Sequence, residues 1–502
     1  MENKIPDNWV ECRFGDVAKI HNGYAFATRD FRRDKGVPLI KQSQLNGAKV
    51  DLTKCVYLDE SFLETKKDFV LKKGDVLIGM SGSVGKMCLY DLDFPALQNQ
   101  RTGKAVPYSE TLLIKKLFWY FLSTIERILL EKGKGLGVAN VSADDIEDLV
   151  FNLPPLAEQH RIVAKLDFVM QKVESNKQRL DKIPKLLKRF RQSVLAAAVS
   201  GKLTVEWRKE NINIEFPKTK QVKKKNRAVL DDKSQDYEFF ELPSKWKWLT
   251  ISDVADVKGG KRIPKGEKLV EHNTGLPYIK AGDIKNGIVH QNRLEYLLPA
   301  TQSKIKNYIV ATGDILITNV GACIGDIGIV PKELNKANQT ENALKLCNHE
   351  GVYNYYLAFW LQSPIAQDFV RQTVLSAAQG KLALGRVEVF PIPLPPVEEQ
   401  KEIIRRLEQL FAFADKLEAR YTKAKSMMDK LPQSILAKAF RGELAAQDPN
   451  DEPASVLLER IKKEKEKLAA EKKGKKSKEY SIEERPLKIA AEGKAKYKKT
   501  KV

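Results

Sequence analysis

Arginine and lysine pair bidentately with guanine, and asparagine and glutamine with adenine; lysine, arginine, serine, threonine and backbone amides hold phosphates. Side chains of these types gather in short loops after β-like runs in two separate parts of this 502-residue chain. In the first part they are Lys41, Gln42, Ser43 and Gln44 in IKQSQLNG, Ser81, Ser83 and Lys86 in GMSGSVGK, and Gln98, Asn99, Gln100, Arg101 and Lys104 in LQNQRTGK. In the second they are Lys258, Lys261 and Arg262 in KGGKRIPKG, Lys280 in IKAGDIKNG, Thr318 and Asn319 in TNVGA, and Asn338 and Gln339 in NQT. Each residue taken singly reads as a solvated turn. As sets they recur at matching positions with different polar side chains, which points to contact with duplex nucleic acid at two different sequences. The formal charge of +22 agrees with a polyanion partner. Part of that charge sits in KTKQVKKKNR (218–227) and in the tail after Lys462, runs that read as solvated.

Other chemistries find no support. MSGSVGKM (80–87) carries Met where a phosphate loop needs its first Gly and Met where it needs Ser or Thr, and its counterpart NVGACIGDI has no lysine. GKGLGVAN (133–140) does not follow a β-run, as a dinucleotide loop would. NLPPL and IPLPPV lack the Asn/Asp-Pro-Pro-aromatic order of adenine methyltransferases. The five histidines (His21, His160, His272, His290, His349) are isolated, without metal-ligand spacing. Five scattered cysteines with no CxxC pair argue against a disulfide framework and suit a reducing cytoplasm. The N-terminus lacks the pattern of a signal peptide, and no apolar run reaches membrane-spanning length.

Behind these loops the chain is written twice. IPDNW (5–9) returns as LPSKW (242–246), GDVAKI as SDVADV, GVPLIKQSQLNG as GLPYIKAGDIKNG, GDVLI as GDILI and NQR as NQT. The offset starts at 237, moves to 239, and reaches 241 where LPPLAEQHRI (153–162) returns as LPPVEEQKEI (394–403). A period this long is a duplicated unit with a pseudo-twofold, not a solenoid. Each copy opens with about 150 residues of short strands, glycine turns and apolar helical runs, an α/β or α+β pattern.

The second part of each copy is a long helix. Pro154 and Pro155 end an extended segment, Glu158 puts negative charge in the first turn, and Gly201 supplies a stop. Ile162, Leu166, Val169, Val173, Leu180, Ile183, Leu187, Phe190 and Val194 form a seam of 3.5-residue period that skips only Asn176. Its counterpart is Ile403, Leu407, Leu410, Ala414, Leu417, Tyr421, Ala424, Met428, Leu431 and Ile435. Two such narrow seams pack most simply on each other, antiparallel; Pro184 and Pro432 should each kink their helix. A seam from Ile162 to Val194 is about 50 Å long, against about 34–36 Å for a DNA turn, so the pair is readable as a ruler.

Two dissimilar globules, each followed by LPPxxEQ, a long helix and QS(V/I)LxxAxxGxL, resemble the specificity subunit of type I restriction–modification systems; AAQDPNDEPASVLLERIKKEKEKL (445–468) resembles that family's C-terminus. The resemblance covers nearly the whole chain. It implies target recognition domains at 1–152 and 241–393, spacer helices at 153–205 and 394–445 forming an antiparallel coiled coil, a basic linker at 206–240 and a lysine-rich tail at 446–502. It implies further that each domain reads half of a bipartite double-stranded DNA site, and that the helices dock two adenine-N6 methyltransferase subunits and, through them, two ATP-dependent restriction subunits. S-adenosylmethionine, ATP and Mg are then expected on those partners and none on this chain, which would be a non-catalytic cytoplasmic protein with no membrane contact; the alternatives are the recognition subunit of another phage-defence methylation system and a basic coiled-coil scaffold.

Overall fold

The computed structural model describes residues 5–47, 49–81, 85–124, 140–220, 240–375 and 380–483, with side chains to 471. Each copy of the repeat closes on itself through its first and last strands: Val10–Arg13 pairs antiparallel with Val150–Leu153, and Lys247–Thr250 with Pro391–Leu394. Between these closures lie two sheets per copy. In the first copy an antiparallel sheet runs Ala18–Asn22, Thr102–Pro107, Val76–Gly79, Met87–Leu89, and a mixed sheet runs Val56–Leu58, Val37–Ile40, Ala96–Gln98, Val70–Leu71. In the second copy Asp256–Gly259, Ala343–Cys347, Ile315–Thr318 and Ile327–Ile329 repeat the first sheet, and Glu295–Tyr296, Pro277–Ile279 and Asn338–Gln339 repeat the core of the second. VPLI, VLIG and ILIT are buried at every residue, which is why they read as continuous apolar runs and not as alternation. The α/β reading holds.

The long helices are α1 (Leu156–Leu180), α2 (Ile183–Val199), α3 (Val397–Ala439) and α4 (Ala454–Glu483). The chain divides into two compact units that cut across the linear order: residues 1–178 with 425–502, and residues 179–424. In the first unit, Ile162, Leu166 and Val173 of α1 share one core with Ile435, Leu436 and Ala439 of α3 and with the globule's Phe118 and Phe151. Lys177 Nζ stands 3.6 Å from Asp429, and Asn152 Nδ2 donates to Phe440 O at 3.4 Å, so α1 and the end of α3 run antiparallel. In the second unit, Val194, Leu195 and Ala198 of α2 share a core with Ile403 and Leu407 of α3. Arg191 there bridges Asp415 and Glu418 at 2.6 and 3.1 Å, and Arg406 Nη1 donates to Leu203 O at 2.7 Å, again antiparallel.

Several expectations change. The first long helix is two helices: α1 stops at Leu180 and α2 restarts at Ile183, with Pro184 in its first turn, where the missing N–H has no bond to lose. Pro184 therefore marks a break and not a kink. Pro432 does lie inside α3. Leu431, placed on the seam by spacing, is 39 % exposed, whereas the next seam residue, Ile435, is buried with Leu436 beside it. The middle of the seam is loosely covered. Leu180, Ile183, Leu187, Phe190, Leu417, Tyr421 and Ala424 line an apolar groove of about 500 Å³ whose rim carries exposed Leu186 and Phe413. The proposed linker is structured up to residue 220: Val205–Glu210 is helical, and Lys220 Nζ bonds Asp256 at 2.5 Å. The rest, 221–239, lies outside the described residues. The proposed tail begins as part of the first unit, with Leu457 and Ile461 of α4 buried in its core.

The LPPxxEQ phrase earns its place through buried polar groups. Glu158 is not an exposed first-turn charge. It is fully buried and accepts hydrogen bonds from Trp9 Nε1 at 2.8 Å and Gln447 Nε2 at 2.5 Å. Glu399 accepts from Trp246 Nε1 at 2.8 Å, Thr204 Oγ1 at 2.7 Å and Arg208 Nε and Nη2 at 2.9 and 2.7 Å. The neighbouring glutamines do matching work. Gln159 accepts from Ile114 N and donates to Pro154 O; Gln400 accepts from Tyr353 N and donates to Pro395 O. Burial without partners would be costly for all four side chains, so the phrase and the IPxxW tryptophan are one lock in two copies.

Candidate nucleic-acid interface

In each copy the chain passes from the mixed sheet to the antiparallel sheet through a three-residue tip. The first tip joins Ala96–Gln98 to Thr102–Pro107; the second joins Asn338–Gln339 to Ala343–Cys347. Buried amides hold both from below. Gln98 Nε2 donates to Thr102 O at 2.7 Å and His21 O at 2.9 Å, and Gln339 Nε2 donates to Ala343 O at 3.2 Å. Backbone bonds tie the tips sideways: Met80 N to Arg101 O at 3.1 Å, and Asn319 N to Asn342 O at 3.0 Å. A glycine backs each tip so closely that a Cβ at Gly23 would lie 2.2 Å from Asn99 O, and one at Gly260 2.0 Å from Thr340 O.

These bonds fix the register between copies. Gln98 corresponds to Gln339, Asn99 to Thr340, Gln100 to Glu341 and Arg101 to Asn342, an offset of 241. The textual match of NQR with NQT at 239 is therefore two residues out. The drift to 241 is already complete before the tip, and carrying it upstream from the proline phrase would have exposed Glu341 and Asn342, which sequence reasoning missed.

The predicted contact residues fall into two groups. Gln44, Gln98, Asn99, Thr318, Asn319, Asn338 and Gln339 are buried. Gln44 Oε1 accepts Lys41 N and Ser43 Oγ at 3.2 and 3.0 Å, and Asn338 Nδ2 donates to Ile305 O at 2.8 Å. Being buried, these side chains do not face a duplex. Lys41 is half-buried with Nζ 4.1 Å over the Phe31 ring, and burial lowers its pKa. Lys104 is half-buried beside Asp75, its Nζ donating to Val70 O at 3.3 Å, and burial lowers its pKa as well. Gln42 and Ser81 are half-buried, and Ser83 lies outside the described residues. Lys280 pairs with Glu295 at 3.1 Å.

Exposed at the surface are Ser43, Lys86, Gln100, Arg101, Lys258, Lys261 and Arg262. Met80 meets the first tip through its backbone N–H, and Lys261 N donates to Gln339 O at 3.0 Å beside the second. Arg262 Nε donates to Glu341 Oε1 at 2.5 Å, and Lys258 stands 3.8 Å from Asp256. The second tip is thus flanked by the exposed Lys261 and Arg262, and the first carries the exposed Arg101 itself, cations of the kind that position phosphates.

The model of the type I restriction modification DNA specificity domain matches residues 6–185 and again 243–425. The chain belongs to this family. The EcoBI specificity subunit of Escherichia coli is 34% identical over 471 residues, covering 92% of this chain and 93% of the relative. The EcoKI specificity subunit of Escherichia coli (strain K12) is 29% identical over 497 residues, covering 92% and 96%. Solved structures share the fold. A chain from a study of complex assembly and conformational transition of the type I R-M system superposes with a TM-score of 0.62 at 19% identity, covering 88% of this chain and all of that one. The HsdS subunit from Thermoanaerobacter tengcongensis gives 0.56 at 19% identity, covering 88% and 98%. The two matched segments coincide with the two copies of the repeat, so each family domain carries one such tip. Among the described residues no group of three or more His, Cys, Asp or Glu side chains is arranged to hold a metal, and no helix is long and apolar enough to cross a membrane.

Proposed function

We propose that this chain is the non-catalytic DNA-specificity subunit of a type I restriction–modification complex. Each globule reads one half of a bipartite, asymmetric site, and the paired helices set the unread gap between the halves. Two adenine-N6 methyltransferase subunits dock on the helices, and ATP-dependent restriction subunits join through them; S-adenosylmethionine, ATP and Mg bind those partners. The apolar groove along α2 and α3, with Leu186 and Phe413 exposed on its rim, supports a protein partner on the helices. A cytoplasmic location follows from the substrate.

The observation that carries this reading is the doubled family domain with equivalent, identically scaffolded tips bearing different side chains: Gln100 and Arg101 in one copy, Glu341 and Asn342 in the other. Two identical readers would recognise a palindrome, whereas two different ones recognise a split asymmetric motif. The test is to express the chain with its neighbouring genes and map N6-methyladenine across the host genome. One split motif with a fixed gap is expected; a continuous motif, or none, overturns the reading.

A further inference from the structure

Both tips are fixed by the same buried bonds, so the side chains that differ between them are not there to make the turn. Gln98 and Gln339 hold equivalent carbonyls, Gly23 and Gly260 sit against equivalent carbonyls, and Met80 N and Asn319 N bind the carbonyls of Arg101 and Asn342. On this common frame Arg101 is exposed, and its guanidinium makes no hydrogen bond or ion pair among the described residues. At the equivalent place Asn342 donates its backbone N–H to Thr340 Oγ1 at 3.3 Å, and its side-chain amide makes no hydrogen bond among the described residues. An arginine surrounded by carboxylates would pair with them; this one is left open on a rigid turn. Glu341 beside Asn342 is neutralised by Arg262, so the second tip offers an amide without a repelling free carboxylate.

Resting on the function proposed above, we propose that Arg101 and Asn342 are equivalent specificity-determining residues, one per half-site. Arg101 donates bidentately to O6 and N7 of a guanine, and Asn342 pairs bidentately with N6 and N7 of an adenine. The chemistry follows from the two side chains: a fork of donors matches the two acceptors of guanine, and an amide matches the acceptor–donor edge of adenine. Lys261 beside the second tip holds a phosphate and carries no sequence information.

The experiment is methylome mapping of the assembled complex carrying Arg101→Gln or Asn342→Arg, beside the unaltered chain. Arg101→Gln is expected to lose roughly ten- to hundredfold preference for guanine at one position of one half-motif, with the other half and the gap unchanged. Asn342→Arg is expected to change one position of the opposite half, from adenine toward guanine. A split motif that both variants leave intact overturns this inference alone, as does a uniform loss of methylation without motif change, which marks a phosphate contact. Changes by both variants in the same half overturn it too. A wild-type motif that is not split overturns the proposed function and this inference together.

Discussion

Trp9 Nε1 donates to Glu158 Oε2 at 2.8 Å across 149 positions of sequence, and Trp246 Nε1 donates to Glu399 Oε2 at the same distance across 153. In each case the tryptophan lies before the first strand of a globule and the glutamate in the first turn of the helix that leaves it. The bond therefore fixes where the helix departs. Each glutamate is then completed from the segment that follows the other long helix of its unit: Gln447, after α3, binds Glu158, and Thr204 and Arg208, after α2, bind Glu399.

The two locks differ in redundancy, which makes them unequal under mutation. Glu158 has two donors, and Glu399 has Thr204 and a guanidinium besides its tryptophan. Trp9→Phe should cost about 1–3 kcal/mol, since it removes one of two partners from a buried carboxylate. Trp246→Phe should cost less, because Arg208 still compensates Glu399. Thermal denaturation of the two variants under one buffer checks the order; an equal or reversed loss would mean that the indole packing and not the hydrogen bond sets the stability.

Glu402 gives the fold a defined response to acid. Arg405, with Arg406 beside it, holds the Glu402 carboxyl down to about 2, from an ordinary 4.5. A depressed acid stabilises the folded chain above its unfolded value, and that contribution is lost as pH falls from about 4.5 toward 2. Arg406 also donates to Leu203 O, so protonation loosens a link between α3 and the end of α2. The melting temperature of the unaltered chain should fall below that pH more steeply than that of Glu402→Gln, and the two curves should converge in strong acid. Parallel curves would assign the acid response to other carboxylates.

The two prolines of the long helices should behave oppositely. Pro184 occupies the first turn of α2, where φ is already suitable and no N–H is required, so Pro184→Ala should be neutral or slightly destabilising. Pro432 lies inside α3 and removes an intrahelical bond, a defect that costs about 3 kcal/mol in a regular helix. Pro432→Ala should stabilise the fold, by less than that full amount because the surroundings have adapted to the proline, and so raise the melting temperature. A fall in melting temperature for Pro432→Ala would show that the packing of Leu436 and Ala439 depends on the proline.

The duplication, the α/β class and the antiparallel helix pairing were legible because periodicity and repeated phrases report directly on packing. Three things were not. The break at residues 181–182 hid behind a seam that carries on across it, since a helix that stops and restarts within three residues keeps its apolar spacing. The role of Glu158 hid because a first-turn glutamate reads as a dipole partner, and its donor Trp9 is 149 residues distant. At the tips, polarity was mistaken for exposure. Gln98, Asn338 and Gln339 are polar because buried turns need side-chain amides for unpaired backbone carbonyls, whereas Arg101 is polar because it faces outward; composition alone does not separate the two.

The glycines behind the tips offer a control that does not touch the reading side chains. A Cβ at Gly260 would lie 2.0 Å from Thr340 O and 2.7 Å from Gln339 O, and one at Gly23 2.2 Å from Asn99 O, all backbone atoms that cannot swing aside. Gly260→Ala must push the second tip away from the strand Asp256–Gly259, or push that strand off its partner. Because the clash is local, the first globule should keep its half of the motif, while methylation at the full site collapses for want of the second half. Stability should fall by the amount typical of overpacking, about 1–3 kcal/mol, and the melting temperature with it. Gly23→Ala should produce the mirror result, losing the first half. Methylation mapping beside thermal melts decides it: an unchanged motif with Gly260→Ala would mean that the tip tolerates displacement and is not a rigid reading element.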